Sequence, residues 1–142
     1  MESAVLGIVL DSSVLIAAER RKLTAAETIE SVQRTIRELP IVLSAVTVAE
    51  VGHGIYRAHT PEMRERRRLF LDELKATVPI HPVTESTAEI IARVGAEQAA
   101  NGITVPMADL IIGARALELG YSVGASNIRD FGRIPGLNLI YL

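Results

Sequence analysis

The sequence predicts an α/β domain: a mainly parallel central sheet of four to five strands, flanked by helices. Three observations carry this expectation. Short aliphatic runs alternate with longer helical stretches along all 142 residues, and parallel strands need such crossover helices. The helical stretches are bounded by capping or chain-breaking residues. Apolar residues make up 49% and aromatic ones only 4%, so the chain folds around an aliphatic core instead of remaining disordered. The length suits one domain, spanning 1–142.

The elements follow in order. Val5 to Leu10 is a continuous apolar run and reads as a buried strand, closed by Asp11. Ser12 to Arg20 reads as a short helix. Thr24 and Glu27 have capping-box spacing and open a second helix running towards Leu39, where Pro40 stops it. Ile41 to Leu43 is a short buried strand. A third helix is expected over Val48 to His59. A fourth begins at Pro61, its apolar face formed by Met63, Leu69, Phe70 and Leu74. Val78 to Val83 is a strand weakened by Pro79 and Pro82. Ser86 to Ala100 is a helix ended by Asn101-Gly102, and Pro106 to Leu119 another, ended by Gly120. Tyr121 to Gly124 and Leu137 to Tyr141 complete the strands.

Composition removes several classes of function. There is no Cys, hence no disulfide and no thiolate metal site. With two Phe, three Tyr and no Trp, an aromatic platform for stacking bases is not expected. A net charge of −2 argues against a generally basic nucleic-acid coat, though not against a local basic patch. The first apolar run is too short for a membrane helix and lacks a basic region before it, so the expectation is a cytoplasmic protein with no membrane association.

Four acids stand where elements begin or end: Asp11, Glu50, Asp109 and Asp130. Each has an ordinary structural explanation. Asp11 suits an N-cap. Glu50 has capping-box spacing to Thr47. Asp109 suits the first turn of a helix, off the apolar stripe of Met107, Leu110, Ile111, Ala114 and Leu117. Asp130 suits a surface turn. In an open parallel sheet, however, ligands bind outside the carboxyl ends of the strands. Acids converging there would have to bind a hard divalent cation or shift their pKa values.

Four segments carry a resemblance that spans the chain in order. Val9-Leu10-Asp11-Ser12-Ser13-Val14 resembles the opening motif of PIN-domain ribonucleases. Leu43 to Val51, containing Glu50, resembles the second motif. Pro106 to Ala114, containing Asp109, resembles the third. Ser126-Asn127-Ile128-Arg129-Asp130-Phe131, followed by Ile134-Pro135-Gly136, resembles the closing segment of VapC-type toxins. The resemblance implies a PIN-like three-layer fold and a divalent-metal-dependent endoribonuclease, the toxin of a VapBC toxin–antitoxin pair. It implies Mg2+, with Mn2+ able to substitute, an RNA substrate and a VapB-type antitoxin. It also implies a homodimer, within a larger toxin–antitoxin assembly. Its catalytic set here is Asp11, Glu50, Asp109 and Asp130, with Asp11, Asp109 and Glu50 towards the metal. Many relatives carry an acid where this chain has Asn127, so Asp130 or Asn127 fills the fourth corner.

Ser13 and Asn127 are supporting candidates, Ser13 by a hydroxyl hydrogen bond or simply as a first-turn helix residue. Arg129 and Arg133 flank Asp130 and are candidates for RNA phosphate contacts. The clusters Arg20-Arg21-Lys22 and Arg64 to Arg68 are further basic groups, the latter expected mainly to pair with Glu62, Glu65, Asp72 and Glu73 on its own helix. His53 stands one turn after Glu50 and is kept out of the catalytic set. A haloacid-dehalogenase-type phosphatase needs a second Asp where Ser13 stands. A receiver domain needs paired acids after the first strand and a late Lys, and no Lys follows Lys75. A catalytically silent PIN-like module that binds RNA or protein remains the alternative.

Overall fold

The computed structural model describes residues 5–142. The elements run β1 (Ile8–Leu10), α1 (Ser12–Arg20), α2 (Ala25–Ile36), β2 (Ile41–Ser44), α3 (Ala45–Tyr56), α4 (Pro61–Thr77), β3 (Ile80–His81), α5 (Glu85–Ala100), α6 (Met107–Leu119) and β4 (Ser122–Ala125). A 3-10 turn (Phe131–Arg133) then leads into β5 (Leu139–Tyr141). The strands form one five-stranded sheet in the order β3-β2-β1-β4-β5. Every pairing is parallel, so all five carboxyl ends lie on the same side.

The strands sort the core into two layers by their period of two. Ile8, Leu10, Ile41 and Leu43 face one layer, which Leu15, Val32, Ile55, Phe70 and Leu74 complete. Val9, Val42 and Val123 face the other, filled by Val94, Leu110, Ile112, Phe131 and Ile134. Helices thus cover both faces of the sheet, which accounts for strands that are apolar throughout instead of alternating.

Several boundaries shift for identifiable reasons. β1 is three residues long and not six: the paired register begins at Ile8, and before it the Gly7 carbonyl accepts a single bond from the Ser122 amide at 3.0 Å. Pro79 and Pro82 cut β3 to two residues, at the sheet edge where proline is tolerated. The third helix starts at Ala45 instead of Val48, since the Ser44 hydroxyl accepts from the Val46 amide and caps it earlier. Thr47 therefore lies inside the first turn, and its expected capping box with Glu50 does not form. The Thr24–Glu27 box does form, with both reciprocal hydrogen bonds. On α4 the buried stripe is Phe70, Leu71 and Leu74, whereas Leu69 is 58% exposed.

The α4 arginines depart from expectation most. Arg66 and Arg67 donate from Nε to the two carboxylate oxygens of Glu19 at 3.1 and 3.3 Å, and Arg67 also donates to the Gly54 carbonyl at 2.7 Å. Glu19 is buried, so these bonds offset its lost hydration and tie α1, α3 and α4 together. Arg68 lies over the Tyr56 ring and donates to its hydroxyl. These three side chains reach across to other elements and do not pair along their own helix.

Gly7 precedes β1 and packs under Tyr121. A Cβ there would lie 2.5 Å from two ring carbons. A rigid ring cannot rotate out of the way as an aliphatic tip can. Gly7→Ala is therefore expected to destabilise the fold by about 1–3 kcal/mol, the usual cost of overpacking, read as a lower urea midpoint with an unchanged slope.

Candidate metal and nuclease site

β1 and β4 are neighbours, and the sheet grows outwards from them in opposite directions. That point, where the connections diverge, leaves a crevice at the carboxyl ends of the strands. Asp11 leaves β1 directly into it. Its amide donates to the Gly124 carbonyl at 2.8 Å, continuing the sheet by one bond, and its Oδ2 accepts from the Ser13 amide at 3.1 Å as the N-cap of α1. The structural and the functional placements of Asp11 are thus compatible. One carboxylate oxygen caps the helix and the other is not used by it.

Glu50 sits in the second turn of α3 and Asp109 in the first turn of α6. No side chain caps α6, whose N-cap is Pro106, so Asp109 is the group that complements its dipole. Burial and the neighbouring acids both act on these carboxyls. Burial, then Asp11, Asp130 and Glu50, raise the Asp109 pKa from 3.8 to about 6. Burial chiefly raises Glu50 too; the Ser12 hydroxyl pulls it partly back and Asp11 adds to the rise. The Glu50 Oε1 atom is buried without a hydrogen-bond partner among the described residues, as is the Thr47 hydroxyl one turn earlier.

The fourth corner divides between two residues. The Asn127 Oδ1 accepts from the Arg129 amide at 3.3 Å, a local turn in an exposed segment. Asp130 is half-buried and contributes to the negative field on Asp109. It lies 3.7 Å from Arg133. Arg133 also reaches the Thr104 carbonyl at 3.4 Å, and its own carbonyl accepts from Gln98 at 2.6 Å. Its guanidinium is therefore engaged within the chain, which sets it apart from Arg129, an exposed side chain with no ion pair among the described residues. Ser13 does more than start a helix: its Oγ accepts from the Ser126 amide at 3.2 Å, joining α1 to the loop after β4.

Among the described residues, no three His, Cys, Asp or Glu side chains are arranged to hold a metal ion as they stand. The donor chemistry nevertheless fits a hard cation. It consists of oxygen atoms alone, one of them a buried carboxylate oxygen with no partner, and it carries an excess of negative charge that no nearby Lys relieves. Sequence reasoning missed Ser12, whose hydroxyl tempers Glu50, and Gln98, which anchors the 3-10 turn below Asp130. Neither stands out in the sequence, because a helix-start Ser and a Gln near a helix end have ordinary uses.

Comparison with known proteins points to one family. The PIN domain family model matches residues 8–137. Ribonuclease VapC1 of Rickettsia felis is 29% identical over 135 residues, covering 95% of this chain and 96% of its own. Ribonuclease VapC of Rickettsia bellii is 28% identical with the same coverage. Among solved structures, VapBC2 of Rickettsia felis bound to a promoter DNA fragment superposes with a TM-score of 0.80 at 18% identity, covering 95% of this chain and 98% of that one. VapBC-5 of Mycobacterium tuberculosis superposes at 0.72 with 27% identity, covering 96% and 98%.

The raised pKa of Asp109 has a consequence for stability without metal. The folded state holds its proton up to about pH 6, whereas the unfolded chain releases it near 3.8. Between those values the folded state binds more protons, so this group's contribution to stability falls as pH rises from about 4 to 6 and stays low above. Glu50 acts in the same direction. His81, lowered by burial and by Arg115, acts oppositely and loses stability as pH falls below its ordinary 6.5. The difference between the wild type and Asp109→Asn isolates the first effect. In chelator, the variant should gain stability relative to the wild type as pH rises through that window, measured by urea unfolding at a series of pH values.

Proposed function

The chain belongs to the PIN-domain family, and from that premise we propose that it is a metal-dependent endoribonuclease, the toxin of a type II toxin–antitoxin pair. The observation that carries the reading is the coupled carboxylate set, Asp11, Glu50, Asp109 and Asp130, at the topological switch point of the sheet. A protein with no anionic chemistry to perform gains nothing from holding Asp109 among three other acids. The likeness to ribonucleases named VapC over nearly the whole chain supports the substrate class. Solved VapBC complexes of the same fold support a VapB-type partner.

Asp11, Asp109 and Glu50 would hold a divalent cation, Mg2+ or Mn2+ by donor type. Bound there, such an ion offers charge neutralisation at a phosphodiester and activation of water. The chain's own residues do the rest. Asp11 is fixed by its amide bond to Gly124 and its helix-capping bond, so it presents one oxygen without rotamer freedom. Glu50 directs its unpartnered oxygen from α3. Asp130, steadied by Arg133, supplies the fourth negative group, while Asn127 has its carbonyl engaged in the loop. Arg129 is free to meet a phosphate. Among the described residues no helix is long and apolar enough to cross a membrane; a cytoplasmic setting belongs to this reading.

Asp11→Asn or Asp109→Asn should lower Mg2+-dependent RNA cleavage by roughly 10²–10³-fold, the scale of losing one group that stabilises transition-state charge. Asp130→Ala should lower it more than Asn127→Ala. The check is single-turnover cleavage of total RNA and of oligoribonucleotides, with and without chelator. Full activity in Asp109→Asn, or an indifferent response to chelator, would return the silent binding module to first place.

A homodimer belongs to the same proposal. Ala88, Ala92, Ala96 and Ala99 are exposed along α5, next to the exposed Val83, and small residues let a second helix approach closely. On α3, Val51 and Ile55 are buried within the chain and offer no surface for this contact. The interface therefore centres on α5. Light scattering at micromolar concentration should give twice the 15.4 kDa chain mass, and Ala92→Arg should return it to the single mass.

A further inference from the structure

A cleft of about 490 Å3 runs beside the acidic crevice, along α3 and between α1 and α4. Glu50 lies on its wall, and His53 and Arg57 follow on the same side of α3 at one-turn spacing. Arg20, in the last turn of α1, lines it as well. The cleft is not balanced in charge. Its other carboxylate, Glu19, is already paired with Arg66 and Arg67. Arg20 and Arg57 are exposed, and among the described residues neither makes an ion pair or a side-chain hydrogen bond. Two unpaired guanidinium groups therefore share a channel that begins at a carboxylate of the candidate metal site.

We propose that this cleft is the track for the single-stranded part of the RNA substrate next to the scissile phosphodiester, with Arg20 and Arg57 on its backbone phosphates. The inference rests on the endoribonuclease reading and extends it to one face of the molecule. The seven residue steps from Glu50 to Arg57, the C-cap of α3, span roughly 10 Å of rise, which puts Arg57 on neighbouring nucleotides and not on the reacting group. The occupant must be anionic along its length to pair with both arginines. It must also end in a group that a cation can reconcile with Glu50 and Asp11. A nucleic-acid strand meets both conditions, since its phosphates bind guanidinium and divalent metal alike. An acidic peptide meets only the first.

The test is the double variant Arg20→Gln/Arg57→Gln in the full chain. Both residues are exposed, so its melt should match the wild type. In single-turnover cleavage of an oligoribonucleotide with Mg2+, half-saturation should rise about tenfold while the rate at saturation stays within about twofold, because phosphate contacts set affinity and position. The slope of log affinity against log salt should flatten by about 1.4, at about 0.7 per single-strand phosphate contact. Arg93→Gln, on exposed α5, should change neither quantity. Fluorescence anisotropy of the same oligonucleotide on the Asp109→Asn protein, with and without the double substitution, reads the track independently of cleavage.

Unchanged half-saturation and salt slope in a chain that cleaves RNA would overturn the track and leave the nuclease intact. A fall in saturated rate alone would also overturn it. A wild type that binds the oligonucleotide through these arginines yet cleaves nothing would overturn the nuclease reading and leave the track. Equal competition by a poly-glutamate peptide of matched charge would replace RNA with an acidic protein segment as the occupant.

Discussion

Burial strips water from Asp109 while Asp11, Asp130 and Glu50 add their negative field, and its pKa climbs to about 6. Burial and repulsion together are a standing cost to the metal-free protein, and the packing around the acids holds them in place against it. A looser scaffold would relieve the strain by letting the acids drift apart. Here β1 is the central strand, hydrogen-bonded on both sides and buried on both faces. Asp11 leaves it by one further sheet-like bond to Gly124. Asp109 is held by α6, whose Gly113 lets Ile134 and Leu137 approach the helix so closely that a Cβ would meet the Ile134 tip at 2.6 Å. The same Ile134 closes the 3-10 turn that carries Asp130. Rigid packing on both layers keeps like charges near one another, the arrangement a cation would release.

The charged groups beyond the crevice follow a different rule. Glu19 is buried but has two arginines and lends no uncompensated charge. Glu118 hydrogen-bonds Ser86, Thr87 and Arg115, and those bonds outweigh burial to hold its pKa below the ordinary value. Arg115 in turn donates to His81 Nδ1 at 3.0 Å. These networks satisfy their members and join elements: α1 to α4 in one case, β3 and α5 to α6 in the other. Among the described residues, the crevice acids are the group left opposed to each other, with Arg133 on Asp130 as their one ion pair. A molecule that neutralises buried charge elsewhere and leaves it unrelieved at one place marks that place for a ligand.

Much of this was legible in the sequence. The aliphatic runs, the Thr24–Glu27 box, Pro61 and Gly120 mark their elements because each acts through local chemistry. The parallel sheet and the meeting of the acids were expected from the sheet rule and the resemblance, whereas the strand order β3-β2-β1-β4-β5 was not. What stayed hidden depends on contacts between distant residues. Arg66 and Arg67 read as a solvated helix face, because nothing local reveals that Glu19, 47 residues earlier than Arg66, is buried beside them. Thr47 read as a cap because its spacing to Glu50 suits one. Ser44 also suits one and comes first in the chain, so Glu50 is left with no local partner of that kind. Arg133 looked equivalent to Arg129 in sequence, and only the packing of the 3-10 turn against α5 separates them.

That last distinction bears on how the fourth corner works. Asn127 is neutral, and its carbonyl closes a turn back to Arg129. Had the acid stood at 127, it would have met the crevice from an exposed loop immediately after β4. Displaced to 130, it heads a 3-10 turn pinned by Phe131 in the core, by Gln98 on the Arg133 carbonyl, and by Arg133 itself. The charge is thereby moved from a loop to a packed corner, at the expense of pairing it with a guanidinium. At 3.7 Å and partly exposed, that pair is weak, and Asp130 still projects its field onto Asp109. On the proposal that Asp130 completes the site, the loop between Ser126 and Asp130 carries none of its acids. Ile128 and Arg129 are exposed on this loop, and among the described residues Arg129 makes no ion pair.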